Sequence, residues 1–195
     1  MQQELPFSQA CENNKAVILE KLNSHFAQAR RVLEIGSGTG QHALFFSQNL
    51  PNVVWQPTEQ PEYLDRLSLR LNAFPQANVR APLAFSIGLN EWPAEACDAV
   101  FTANTAHIMQ HDEVKLMMSL IAEHLPLGGV FCQYGPFTQQ GQFTSASNQA
   151  FHQELLAQGY GGYRDVEELI EWAEPLTLTN MYDMPANNHL LVWQK

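Results

Sequence analysis

Residues Leu33–Ala43 read LEIGSGTGQHA. An apolar run ends around an acid, glycines follow at Gly36, Gly38 and Gly40, and apolar residues at helical spacing resume from Gln41. Glycine admits positive φ and lets a ligand approach the backbone with no Cβ in the way, while the following helix offers free N–H groups. The stretch therefore predicts a strand, a turn suited to a nucleotide-bearing ligand, and a helix. In the dinucleotide fingerprint GxGxxG the third glycine lies three places after the second and permits close helix–strand packing. Here that place is Gln41. The GxGxG spacing disfavours a nicotinamide dinucleotide, and with it an oxidoreductase.

Working outward, the apolar spacing predicts a helix over Glu12–Ala27, a strand over Arg31–Ile35 and a helix over Gln41–Leu50, which Pro51 closes. A second strand from Val53 ends near Pro57–Glu59, and a helix over Glu62–Phe74 follows. Val79–Ile87 is the third candidate strand, weakened by Pro82, which suits a strand start or an edge. Asp98–Ala103 and Gly129–Tyr134 are the fourth and fifth strands, with a helix over His111–Leu125 between them. This alternation predicts an α/β fold, a parallel sheet covered by helices on both faces, with the ligand at the carboxyl ends of the strands. Past Gly135 come a polar loop, TQQGQFTSAS, helices from about Asn148 and over Val166–Trp172, and strands over Leu176–Tyr182 and His189–Gln194. The short joint between those last strands, MPANN, predicts an antiparallel hairpin.

A chain of 195 residues suits one domain, with a covering helix over 1–29, a cofactor-binding core over 30–135 and substrate-side helices plus the hairpin over 136–195. Hydrophobic residues at 45% and charged ones at 15% argue against disorder. The net charge of −10 repels phosphate backbones and anionic lipid, so neither a nucleic acid nor a membrane is the expected partner. No stretch approaches the ~20 apolar residues of a membrane span, and MQQELPFSQ lacks the pattern of a signal peptide, so the expected location is cytoplasmic. Cys11, Cys97 and Cys132 show no CxxC spacing and suit reduced, mostly buried thiols. Trp55 and Trp193 fall in strand patterns and are assigned to the core.

A nucleoside-binding α/β domain commonly keeps an acid about 20 residues beyond the turn to accept from the ribose hydroxyls. Glu59, in WQPTE, stands there. VLEIGSGTG resembles the first motif of class I S-adenosylmethionine-dependent methyltransferases. QACENN, LEIGSGTGQHA, WQPTE, YGPF, the SN of SASNQAF, GYRD and MPANNHLLVW together resemble, over nearly the whole chain, the methyltransferase-like protein 26 family, formerly a domain of unknown function.

That resemblance implies a Rossmann-like class I methyltransferase fold, with a mostly parallel seven-stranded sheet and an antiparallel C-terminal hairpin. It also implies S-adenosylmethionine as cofactor, held by Glu34, Gly36, Ser37, Gly38, Gly40 and Glu59. It brings no substrate. Two departures stand out. The family's SPAxERN is SQACENN here, so Asn13 replaces a usual Arg, with Asn14 assigned to the acceptor pocket. Ser86 replaces the Asp after the third strand, so the adenine amino group would meet a hydroxyl rather than a carboxylate.

Methyl transfer from a sulfonium needs positioning and desolvation, and a general base only when the acceptor arrives protonated. In this fold the loop after the fourth strand, Asn104–His107, lies under the methyl group. Asn104 is therefore assigned to the cofactor, and His107 is the candidate base or else a polar contact. Tyr134 ends the fifth strand as a second candidate for catalysis and for the pocket. Asn187 and Asn188 suit equally a turn and a pocket wall. His107 and His111 form HxxxH without a third ligand, so no metal site is expected. The N-terminal helix and the Gly135–Ser147 loop would cover the site. The expected activity is methyl transfer to a small-molecule acceptor. The alternative is a cofactor-binding protein without transfer activity, acting as a regulator or scaffold. Oligomeric state is not legible.

Overall fold

The structure, a computed structural model, describes residues 4–93 and 95–195. Contacts gather the chain into two compact units that divide between Phe101 and Thr102. The main sheet has seven strands in the order Leu83–Ala84, Val54–Glu59, Arg31–Ile35, Ala99–Ala103, Val130–Gly135, Asn188–Gln194 and Thr177–Met184. It is mostly parallel and closes with an antiparallel hairpin. This is the α/β, Rossmann-like arrangement that strand–helix alternation predicts.

In the first unit, α1 (Gln9–His25) begins three residues before the apolar spacing suggests. The cause is Ser8, whose hydroxyl accepts from the Cys11 backbone N–H and caps the first turn. β1 (Arg31–Ile35) leads through the glycine turn into α2 (Gln41–Asn49). β2 (Val54–Glu59) pairs in parallel with β1, Arg31 opposite Val54 through Glu34 opposite Pro57. A short 3₁₀ turn, Pro61–Tyr63, precedes α3 (Leu64–Ala73).

The third strand differs from expectation. Only Leu83–Ala84 forms β3, pairing with Thr58 and Glu59, while Val79 makes an isolated bridge to Trp55. Pro82, between them, has no N–H to give the ladder, so the expected continuous strand is interrupted at that residue. The core of the unit is aromatic: Phe46, Trp55 and Phe101 meet with ring centroids 5.2–5.9 Å apart, and all three are fully buried.

β4 (Ala99–Ala103) is one residue shorter than the sequence suggests, because the Asp98 carboxylate turns back to accept from the Arg30 and Arg31 backbone N–H groups. The second unit then comprises α4 (His111–His124), β5 (Val130–Gly135), β6 (Phe137–Thr138), α5 (Ala146–Ala157), β7 (Arg164–Asp165), α6 (Val166–Trp172), β8 (Thr177–Met184) and β9 (Asn188–Gln194). β9 lies antiparallel to both β5 and β8, with Trp193 opposite Phe131 and fully buried. A feature absent from the sequence reading is the two-stranded sheet of β6 and β7, which orders the start of the polar loop. No helix among the described residues is long and apolar enough to cross a membrane.

Candidate cofactor cleft and acceptor-side residues

Thr58, near the end of β2, is tied to the glycine turn and the strand before it by three hydrogen bonds. Ser37 N donates to Thr58 O (2.8 Å), Thr58 N to Ser37 Oγ (3.2 Å), and Thr58 Oγ1 to Glu34 O (2.7 Å). Gly36, Gly38 and Gly40 all have positive φ. At Gly40 the glycine is needed twice, since φ is +78° and a Cβ would stand 2.9 Å from Leu67 Cδ1 on α3. At Gly38 the need is conformational only, because a Cβ there meets nothing within 4 Å.

Glu34 is 2% exposed and accepts from Ser37 Oγ (2.7 Å) and Trp55 Nε1 (2.9 Å). Burial pushes its carboxyl up to about 7, opposed by those two donors and reinforced by the nearby Glu59 charge. Glu34 thus supports the turn from within. Glu59, also buried, is the acid that lines the cleft: its Oε2 accepts from Gly38 N (2.6 Å) and its Oε1 from Gln60 N (2.8 Å). Phe85 N donates to Glu59 O, which brings Ser86, itself buried, up beside the end of β2. A cleft of about 220 Å³ opens here, lined by Pro6, Gly38, Thr39, Glu59, Tyr63 and Arg66. That is below the ~300–1,000 Å³ of pockets that enclose a drug-sized ligand, so it admits part of one.

Sequence reasoning missed four of those lining residues: Pro6, Thr39, Tyr63 and Arg66. Tyr63 and Arg66 had a usable signal, for they stand three apart at the start of the helix after Glu59 and so share a face. Gln41, noted only for not being glycine, is a tether. Its Oε1 accepts from Ser8 N (2.6 Å) and Thr39 Oγ1 (2.9 Å), and its Nε2 donates to Glu12 Oε1 (2.6 Å) and Ser8 O (3.2 Å). Arg70 adds a second tie by donating through Nε to Pro6 O (3.1 Å). Asn14 is buried, with its Oδ1 accepting from His42 Nε2 (2.6 Å), while Asn13 is exposed and accepts from Gln9. Burial drops the His42 imidazole to about 4, so it is neutral near pH 7.

In the second unit, Asn104 sits at φ +58°, donates its N–H to Tyr134 O (2.9 Å) and brings its Oδ1 within 3.9 Å of where a Cβ on Gly135 would lie. Asn104 and Tyr134, assigned separately from the sequence to the cofactor and to the acceptor side, are therefore joined through their backbones. His107 is 7% exposed, with Phe151 and Tyr163 rings 5.9 and 6.4 Å away, and burial alone drops it to about 4. His111 opens α4 against Trp172 instead of sharing a helical turn with His107. Among the described residues no group of three His, Cys, Asp or Glu side chains is arranged to hold a metal.

Asn187 and Asn188 lie at the hairpin joint, where Ala186 and Asn187 both have positive φ. Asn187 is also held from outside the hairpin: its carbonyl accepts from Asn148 Nδ2 (3.0 Å), and its own Nδ2 donates to Ser145 Oγ (3.3 Å). Asp165 fastens the other side of the polar loop, accepting from Thr138 Oγ1 (2.7 Å) and Gly141 N (2.8 Å).

The family model described as Protein of unknown function (DUF938) matches residues 5–195. The chain belongs to that family. Solved structures similar to this DUF938 protein include human N-acetylserotonin methyltransferase in complex with SAM, with a TM-score of 0.82, 12% identity, and coverage of 96% of this chain and 53% of that one. An O-methyltransferase family protein from Burkholderia thailandensis matches with a TM-score of 0.83, 16% identity, and coverage of 96% and 56%. PigF with SAH matches with a TM-score of 0.82, 16% identity, and the same coverage. The DUF938 chain spans about half the length of these structures. The likeness establishes a methyltransferase-type fold.

Proposed function

We propose that this DUF938 protein binds S-adenosylmethionine and transfers its methyl group to a small-molecule acceptor, as a cytoplasmic enzyme of the methyltransferase-like protein 26 kind. The observation that carries this reading is the bond from Gly38 N to the Glu59 carboxylate at the mouth of the cleft. It joins a positive-φ turn, open on its ligand side, to an acid able to accept from a ribose diol. The first turn of α2 adds N–H groups that no side chain caps. Complexes of similar folds with SAM and SAH support the choice of cofactor.

The residues fit the group. Gly36, Ser37, Gly38 and Gly40 would cradle it, Glu59 would take the ribose hydroxyls, and Ser86 would accept from the adenine amino group. Asn104 is assigned to its amino-acid end. When bound, the cofactor supplies an electrophilic methyl on a sulfonium. His107 is the proposed base for a protonated acceptor. Burial keeps it uncharged as that role requires, at a basicity below the optimum near operating pH. Tyr134 and the Asn14, Asn187 and Asn188 side chains are proposed to shape acceptor binding.

The second reading, a binding protein without transfer activity, is motivated by Asn13 and Ser86. It predicts cofactor binding with no turnover against any acceptor in a metabolite extract. Titration calorimetry tests the common step. Saturable binding of S-adenosylhomocysteine is expected, and its absence at millimolar ligand with folded protein would overturn both readings.

A further inference from the structure

The segment Gly159–Tyr163, GYGGY, brings the Tyr163 ring to His107. Gly162 N donates to His107 O (3.0 Å) and Gly161 N to Ile108 O (3.4 Å). A Cβ on Gly161 would fall 1.9 Å from Met109 O, and one on Gly162, whose φ is +76°, would fall 2.7 Å from the His152 ring. Gly161 is thus required by the Met109 backbone, and Gly162 by its positive φ and the His152 ring. Tyr163 N then donates to His152 Nδ1 (3.0 Å), which fixes the tyrosine in place. The result is a group of rings in tilted and edge contact: Phe151 on His107 at 5.9 Å, Phe151 on Tyr163 at 6.3 Å, and Phe143 on Tyr163 at 5.7 Å. These are the separations at which aromatic pairs attract beyond their area burial.

The group opens outward. Phe151 is 42% exposed and Ile108 41% exposed, while His107 and Tyr163 each keep 7%. Isolated exposed apolar side chains are ordinary, but here two of them adjoin a buried imidazole, one through the chain and one through ring contact. Neither polar ring of the pair carries charge near pH 7, since burial holds His107 down and pushes Tyr163 up to about 12. A flat, uncharged ligand loses least on entering such surroundings, and a hydroxyl on it would donate to the imidazole nitrogen.

We propose that Phe151, Tyr163 and His107, whose rings meet pairwise, form a binding site for a planar, uncharged aromatic ligand bearing a hydroxyl group. The inference names the acceptor class of the proposed methyltransferase. It rests on that reading for the ligand's fate, while binding itself does not.

The test is a titration of the full chain, with isotope-labelled histidine rings, against 2-naphthol, followed by NMR without cofactor. A saturable shift of the His107 signal is expected. Cyclohexanol should bind at least about tenfold more weakly, because it has the hydroxyl without the flat ring. Phe151→Ala should weaken 2-naphthol about two- to tenfold, the range of an aromatic pair, with Phe151→Leu as a milder variant of this exposed position. Aromatic faces also draw cations. Equal binding of cyclohexanol, tighter binding of 2-naphthylmethylammonium, or no saturable shift would each overturn the site. S-adenosylhomocysteine calorimetry on the same sample separates the two proposals. Protein that binds it and ignores 2-naphthol contradicts this site, and the reverse result upholds this site while contradicting the cofactor reading.

Discussion

Gly38 and Glu59, 21 residues apart, are joined by a 2.6 Å hydrogen bond from the glycine N–H to the carboxylate Oε2. The bond holds the carboxylate where the turn is open, and Gln60 N fixes its other oxygen. Neither donor uses up the carboxylate, which has about four lone-pair directions in all.

Glu59→Gln should therefore keep the fold and lower S-adenosylhomocysteine affinity by about 10- to 100-fold, the scale of hydrogen bonds to a charged partner. Titration calorimetry reads this directly. An unchanged affinity would remove Glu59 from the site.

Gly38 and Gly40 should separate stability from binding. Gly40→Ala combines positive φ with a close approach to Leu67 and should cost on the order of 1–3 kcal/mol in thermal unfolding. Gly38→Ala carries the backbone strain alone, so it should melt higher than Gly40→Ala while losing more cofactor affinity, because its methyl points into open space at the cleft.

Glu34 predicts a pH dependence of stability. Its folded-state carboxyl is raised from 4.5 to about 7, so the folded protein binds the proton more tightly than the unfolded chain. The contribution is fully present below about pH 4.5 and is lost as pH rises through about 7, on the order of 3 kcal/mol in all. Glu34→Gln keeps an oxygen to accept from Ser37 and Trp55 and should flatten denaturant stability between pH 5 and 8 relative to the parent. A parallel slope in both proteins would assign the dependence elsewhere.

His42 and His107 run in the opposite sense. Both are lowered to about 4, so each contributes stability above its unfolded value near 6.5 that is lost as pH falls through about 4. Their ring signals should show no titration between pH 8 and pH 5.5. A midpoint near 6.5 at His107 would place that ring in water instead of among Phe151 and Tyr163.

Gln41→Ala should free the start of α1. Hydrogen exchange at Ser8–Glu12 should rise while that of β1 and β2 stays unchanged, since three bonds from one side chain reach the helix start. Protection that persists at Ser8 would shift the tether to Arg70 and Pro6.

What the sequence disclosed follows from the range of the forces involved. The strand–turn–helix of Arg31–Asn49 and the acid at Glu59 were legible because glycine conformation and apolar period are local properties. β3 was overextended because Val79 and Leu83 both have strand-forming side chains, and the interruption depends on a donor that Pro82 lacks. Gln41 was legible as an absence and not as a tether, since its partners Ser8 and Glu12 lie about 30 residues away. The Gly161–Gly162 approach to Met109 and His152 was equally hidden, because contact with a distant backbone leaves no period in the sequence. SN and MPANN stood out as words, and the bond from Asn148 to Asn187 gives the pair a structural reason.

The central claim, that the turn and Glu59 together hold the cofactor, is tested most directly at the Gly38 amide. Its backbone NMR signal should move saturably on adding S-adenosylhomocysteine, together with that of Gln60, and should not move with a nicotinamide dinucleotide. Gly38 and Gln60 signals that stay fixed at millimolar S-adenosylhomocysteine in folded protein would contradict the account.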